Sequence, residues 1–145
     1  MATITSCAKG AYTFGLRGNI SFDNVVEYIK RLGYTVSFYT DAEADSLNEK
    51  HRCDAVDFRE IKAATVVNKR KGFYAVYFHK RKDHSSKNEL KTAALHELGH
   101  ILLNHLEDIG KDNNRRIYEA EAELFVDIIE QIAQGKIKTQ IGAAK

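Results

Sequence analysis

Proline is absent from this chain, cysteine occurs only at positions 7 and 53, and neither sign of charge dominates. Without proline there is no proline-rich linker, and no low-complexity tract or fixed-period repeat divides the sequence. Two distant cysteines do not make the disulfide framework of a small secreted domain, so both are expected as free thiols. The 22 Lys and Arg nearly balance the 20 Asp and Glu. That removes the global charge that suits a nucleic-acid binder, and no direct nucleic-acid binding is expected. No segment approaches the length of a membrane span, and Met1 to Ile20 has no apolar core of signal-peptide length. No membrane association is therefore expected, and the cytoplasm is the expected address.

What is present is 145 residues with 43% hydrophobic content, the size and composition of one globular domain over 1–145. Residues 1–20 show no clear period and read as an irregular or short-stranded lead-in. From Ser21, a residue suited to capping, Phe22, Val25, Val26, Ile29 and Leu32 recur at helical spacing up to Gly33. Tyr34 to Tyr39 reads as a strand, and Asp41 is the expected cap of an acidic helix reaching about Lys50. Ala63 to Asn68 and Phe73 to His79 are strand-like and flank the loop Lys69-Arg70-Lys71-Gly72, which predicts a hairpin. Ser86-Lys87-Asn88-Glu89 has capping-box form before the apolar series Leu90, Ala93, Ala94, Leu98, Ile101 and Leu102. After a polar break over Gly110 to Asn114, a last helix is expected from about Arg115 to Gln134, closed by Gly135, with 136–145 a mobile tail. The expected fold class is α+β, a small antiparallel sheet packed against helices.

The chemistry concentrates in His96-Glu97-Leu98-Gly99-His100, expected in the middle of its helix. Four residues of helix turn a side chain by only about 40° and lift it by about 6 Å, so His96 and His100 can share one ion. Zinc accepts imidazole nitrogen at about 2.0 to 2.1 Å, and a catalytic site needs a third protein ligand and a place for water. Glu97 is rotated by about 100° from His96, which places it as a general base beside that water rather than as a ligand. With zinc polarising the carbonyl, the reaction class is amide hydrolysis. Gly99, a poor helix former in mid-helix, calls for a reason such as close approach of a neighbouring backbone.

The third ligand is sought among Glu119, Glu121 and Glu123 of the last helix. On a helical wheel Glu121 falls among Ile117, Leu124, Phe125 and Ile128. Glu119 lies at the edge of a face made by Ala122, Val126, Ile129 and Ala133. Periodicity leaves both open, with Glu121 conspicuous for facing the apolar stripe. The pair of segments His96-Glu97-Leu98-Gly99-His100-Ile101-Leu102-Leu103 and Glu119-x-x-Ala122-Glu123-x-Phe125-Val126 resembles the ImmA/IrrE family of metallopeptidases, over roughly residues 60 to 130. The family pairs a histidine-glutamate helix with a second helix of the form E-x-x-A-N-x-F-A, whose first Glu completes a gluzincin-type zinc site.

The resemblance implies a minimal gluzincin-like zinc peptidase with Zn2+ held by His96, His100 and Glu119, and with Glu97 as the catalytic base. It implies that Ala122 lets the two helices approach and that Glu123 stands where Asn or Asp normally orients a ligand histidine. The chain departs from the pattern at Glu123, at Val126 in place of Ala, and in lacking a proline-containing end to this helix. The implied substrate is a protein, typically a helix-turn-helix transcriptional repressor cleaved in response to stress or mobile-element signals. A rival from a different class is a non-catalytic or toxin-type binding module that keeps the fold and sequesters a regulator. A third is a structural α+β domain without metal, which would not require Glu97.

Three further features carry weaker expectations. Phe73 to His79 reads either as an ordinary sheet strand with a buried face or as an exposed edge strand for an extended substrate peptide. The run from Lys69 to Lys91 is locally basic and reads as solvated, or as attractive to an acidic segment or a DNA-bound partner. His51, His79, His84 and His105 have no compelling metal spacing, and His105, one position beyond the i+4 step from His100, is expected to point off the metal face.

Overall fold

The computed structural model describes residues 3–51, 57–80, 87–105 and 112–137. Strands β1 (Thr35–Tyr39), β2 (Ala63–Asn68) and β3 (Phe73–His79) form a sheet in the order β1-β3-β2. β2 and β3 make the expected antiparallel hairpin, with Ala63 opposite Phe78 and Asn68 opposite Phe73. β1 joins β3 in parallel, Thr35 facing Ala75 and Tyr39 facing His79. The fold is α+β as expected, and its sheet is mixed rather than purely antiparallel.

β3 is the central strand, so of its two readings the ordinary sheet strand with a buried face holds and the exposed edge does not. Ala75 to His79 are all buried, a continuous run that only a strand covered on both faces can sustain. Val76 and Phe78 enter the main core with Val25, Ile29, Leu95, Leu98 and Phe125. Ala75 and Tyr77 point the other way, into a smaller cluster with Tyr39, Ala44 and Phe58. Among the described residues the outer strand on the hairpin side is β2.

Residues 4–15 are helical rather than part of an irregular lead-in. Helix α1 (Ile4–Gly10) runs into a π-helical turn over Ala11–Gly15, with Thr3 Oγ1 accepting the Ser6 N–H at 3.0 Å. Its fully buried contacts are Ala8 and Ala11, packed with helix α5 (Asp112–Ala133). A helix that packs through alanine leaves no bulky apolar stripe to read, and its Thr and Gly content weakens the local signal further. Helix α2 (Phe22–Arg31) matches expectation, with Ser21 Oγ accepting the Asn24 N–H and Val25, Val26 and Ile29 buried. Helix α3 (Asp41–Lys50) begins one residue after its cap. Thr40, not Asp41, holds that place, and Glu43 accepts from the Thr40 backbone N–H at 2.9 Å.

Helix α4 (Lys87–Leu102) and α5 complete the core. Ser86, the head of the expected capping box, lies outside the described residues, as do Cys53, His84 and the tail 138–145. α5 starts at Asp112, so Asp112 to Asn114 belong to the helix rather than to a polar break. It ends as expected at Gly135, whose φ of +79° admits a left-handed turn. The Gly135 and Lys136 N–H groups donate to Ile132 and Gln131 carbonyls and satisfy the last helical acceptors. Cys7 is a free thiol. No helix among the described residues is long and apolar enough to cross a membrane.

Candidate metal centre

The His-Glu motif occupies the last turns of α4, not its middle, because the helix stops at Leu102. Ala94, Leu95 and Leu98 are fully buried and fix the roll of α4 on the core. α5 lies against it. A Cβ built on Gly99 would stand 3.0 Å from Phe125 Cδ2 and 3.3 Å from its Cγ. The reason for this glycine is therefore close approach by a side chain of α5 rather than by its backbone.

That packing sets Glu119 opposite the two histidines. His96 Nε2 lies 3.0 Å from Glu119 Oε1, His100 Nε2 lies 2.7 Å from Glu119 Oε2, and the two Nε2 atoms are 3.1 Å apart. All the ligand atoms of this group lie within 4.8 Å of one another. Donors placed tetrahedrally around zinc at its usual bond lengths stand about 3.3 Å apart. Two imidazole nitrogens and a carboxylate converging at these spacings fit such an ion. Glu119 is the carboxylate that joins the histidines, and Glu121 is not.

Glu97 turns aside from this group, as its position on the helix requires. Its side chain is nearly buried between α4 and β2, and Oε1 accepts a hydrogen bond of 2.6 Å from the Thr65 hydroxyl. Thr65 is a site residue that sequence reading missed. It lies 32 positions away on another element and belongs to no motif. The alternation of the hairpin strand places Ala63 and Thr65 on one face, and that periodicity was the available signal.

His105 is the larger surprise. It is buried, its Nδ1 is 3.0 Å from His100 Nδ1, and its Nε2 is 2.8 Å from Glu121 Oε1. Its ring stacks on Tyr118 at 4.2 Å. The expectation that His105 points away extended a helix past its end. α4 closes at Leu102, Asn104 takes a left-handed φ of +60°, and the chain folds His105 back behind His100. Glu123 is exposed, so the place behind a ligand histidine is taken by His105 and Glu121.

The charges follow this geometry. Hydrogen bonds from His100 and His96, against a smaller cost of burial, hold the Glu119 carboxyl far below the usual carboxylate range. Burial disfavours the charged form of His96, yet the Glu119 hydrogen bond and the charges of Glu97, Glu119 and Glu123 together raise its pKa. Burial lowers that of His105, with the neighbouring His100 acting in the same direction and Glu121 opposing.

The other described histidines have separate occupations. His79 lies 2.7 Å from Asp41 Oδ1 and stacks on Tyr39, while His51 Nε2 is 2.9 Å from the Tyr77 hydroxyl. In the basic run, Lys69, Arg70 and Lys71 are exposed at the hairpin tip. No protein-family model, curated protein or solved structure matches the chain.

Proposed function

We propose that the protein is a zinc-dependent endopeptidase of the ImmA/IrrE type. The observation that carries the reading is the Glu119 carboxylate bridging toward both Nε2 atoms of the His-Glu motif, 3.0 and 2.7 Å away. His96, His100 and Glu119 would hold the ion. Zinc bound there supplies Lewis acidity, polarising the scissile carbonyl and acidifying water beside it.

The remaining steps belong to the chain. Glu97 takes a proton from the attacking water and delivers it to the leaving amine nitrogen. Thr65 holds one oxygen of Glu97 and so aims the carboxylate. β2, the outer strand beside α4, offers backbone groups to an extended peptide, a role open to β3 from sequence alone. The substrate is a protein, with a helix-turn-helix repressor the class that the resemblance supplies, and the compartment is the cytoplasm.

The test measures zinc content and cleavage of a repressor encoded beside this chain. Wild-type protein should carry one zinc, and Glu97→Gln should keep the zinc and lose about 100-fold or more in cleavage rate. Absence of stoichiometric zinc, or full cleavage by the variant, would sink the reading. The departure from the family pattern at Glu123 keeps one rival open, a binding module that sequesters the regulator without cutting it. Such a module would retain its effect in Glu97→Gln.

A further inference from the structure

His105 follows a helix end, where a solvated side chain is the ordinary outcome, yet only 2% of its surface is exposed. A neutral imidazole has one N–H and one lone pair, so each of its contacts has a fixed polarity. Glu121, as a carboxylate, only accepts, so the His105 nitrogen 2.8 Å away, Nε2, is the one that carries hydrogen. His105 Nδ1 is then an acceptor. With both rings neutral, the 3.0 Å contact between the two Nδ1 atoms requires His100 Nδ1–H as the donor. His100 Nε2 is left with its lone pair aimed at the point it shares with His96 Nε2 and Glu119. A lone pair cannot face a carboxylate oxygen at 2.7 Å unaided: without metal a proton lies between them, in the hydrogen bond that Glu119 accepts from His100, and in the loaded site the ion would take that proton's place.

We propose that His105 and Glu121 are positioning residues that lock His100 in the tautomer and ring orientation of a zinc ligand, through a hydrogen-bond relay running from His100 to His105 to Glu121. The inference rests on the metal reading of the site. Tyr118, stacked on His105 with the ring planes 9° apart, fixes the plane of the relay. Glu121 reaches the site from α5, two residues beyond Glu119, so one helix supplies both the ligand on the Nε2 side of His100 and the terminus of the relay on its Nδ1 side. Metal ligands are oriented by such partners, whose loss weakens binding by about 10- to 100-fold.

The experiment measures zinc affinity by competition with a chromophoric chelator, beside thermal melting of the metal-free proteins. Glu121→Ala and His105→Ala should each weaken zinc binding by about 10-fold or more. Glu121→Gln keeps an acceptor, and His105→Gln keeps an acceptor for His100 and a donor for Glu121. Both should bind within about threefold of wild type. Glu121 is partly exposed, so its variants report even where His105→Ala does not fold. Long-range proton-nitrogen spectra of the zinc-loaded wild type should show His105 with hydrogen on Nε2. Hydrogen on Nδ1 would overturn the relay, as would Glu121→Ala lowering the metal-free melting temperature while leaving zinc affinity unchanged. A wild type that binds no zinc would bring down the metal reading and the relay with it, whereas tight binding unaltered in all variants would bring down the relay alone.

Discussion

Glu97 and Thr65 meet from different elements, and the residues around the centre divide according to how local their partners are. His96, Glu97 and His100 were legible because three positions within one turn and a half of helix suffice to state the chemistry. Glu119 needed a resemblance, since periodicity left both carboxylates open and made Glu121 the more conspicuous. Thr65 and His105 were illegible for physical reasons. One depends on hairpin register against α4, and the other on a left-handed residue, Asn104, that ends the helix geometry on which the wheel relied. The Thr65 hydroxyl serves a nearly buried carboxylate, and a hydrogen bond to a charged group contributes about 1.5 to 3 kcal/mol. Thr65→Val is expected to lower kcat/KM about 10-fold or more, with zinc content unchanged and Thr65→Ser restoring most of the rate. Steady-state cleavage beside metal analysis checks this, and a full rate in the valine variant would remove Thr65 from the mechanism.

Among the elements, those whose apolar residues are large and regularly spaced were read correctly. α2 and α5 each bury one stripe of bulky side chains, and the β2–β3 hairpin carries runs of β-branched and aromatic residues, β3 buried on both faces. α1 was lost because it packs through alanine, and the parallel place of β1 was lost because pairing between distant strands leaves no local trace. The decisive contact between elements is α4 against α5, since it alone brings Glu119 to the histidines. Gly99 sets its closeness, with fully buried Phe125 occupying the space a side chain would need. Gly99→Val should force the helices apart and cost about 1 to 3 kcal/mol from overpacking. Zinc binding should weaken in parallel. Urea unfolding and chelator competition on the same variant measure both, and unchanged values would show that the interface yields freely.

For the molecule as a whole, the proposed zinc site would tie stability to pH with opposite signs in the metal-free and metal-bound protein. In the metal-free protein the raised pKa of His96 means that the fold binds its proton more tightly than the unfolded chain does. That contribution is complete below the ordinary imidazole value and is lost as pH rises through the raised one. The depressed Glu119 carboxyl contributes above the ordinary carboxylate range and is lost only in strong acid. Zinc requires unprotonated His96, so its binding strengthens with pH. The stabilisation by added zinc, read as a rise in melting temperature, should therefore grow between about pH 5.5 and 8, and at about 1,000-fold excess over Kd it should amount to about 4 kcal/mol of free energy. A gain that is flat or falling with pH would contradict the linkage. The sheet carries a consequence at this same scale. An outer strand with unpaired backbone groups is also a template for a second copy of the chain. β2 is bracketed by Lys62 at one end and Lys69, Arg70 and Lys71 at the other, all exposed. Two copies pairing edge to edge in parallel would set Arg70 and Lys71 of one against those of the other, and like charge at that end disfavours such pairing.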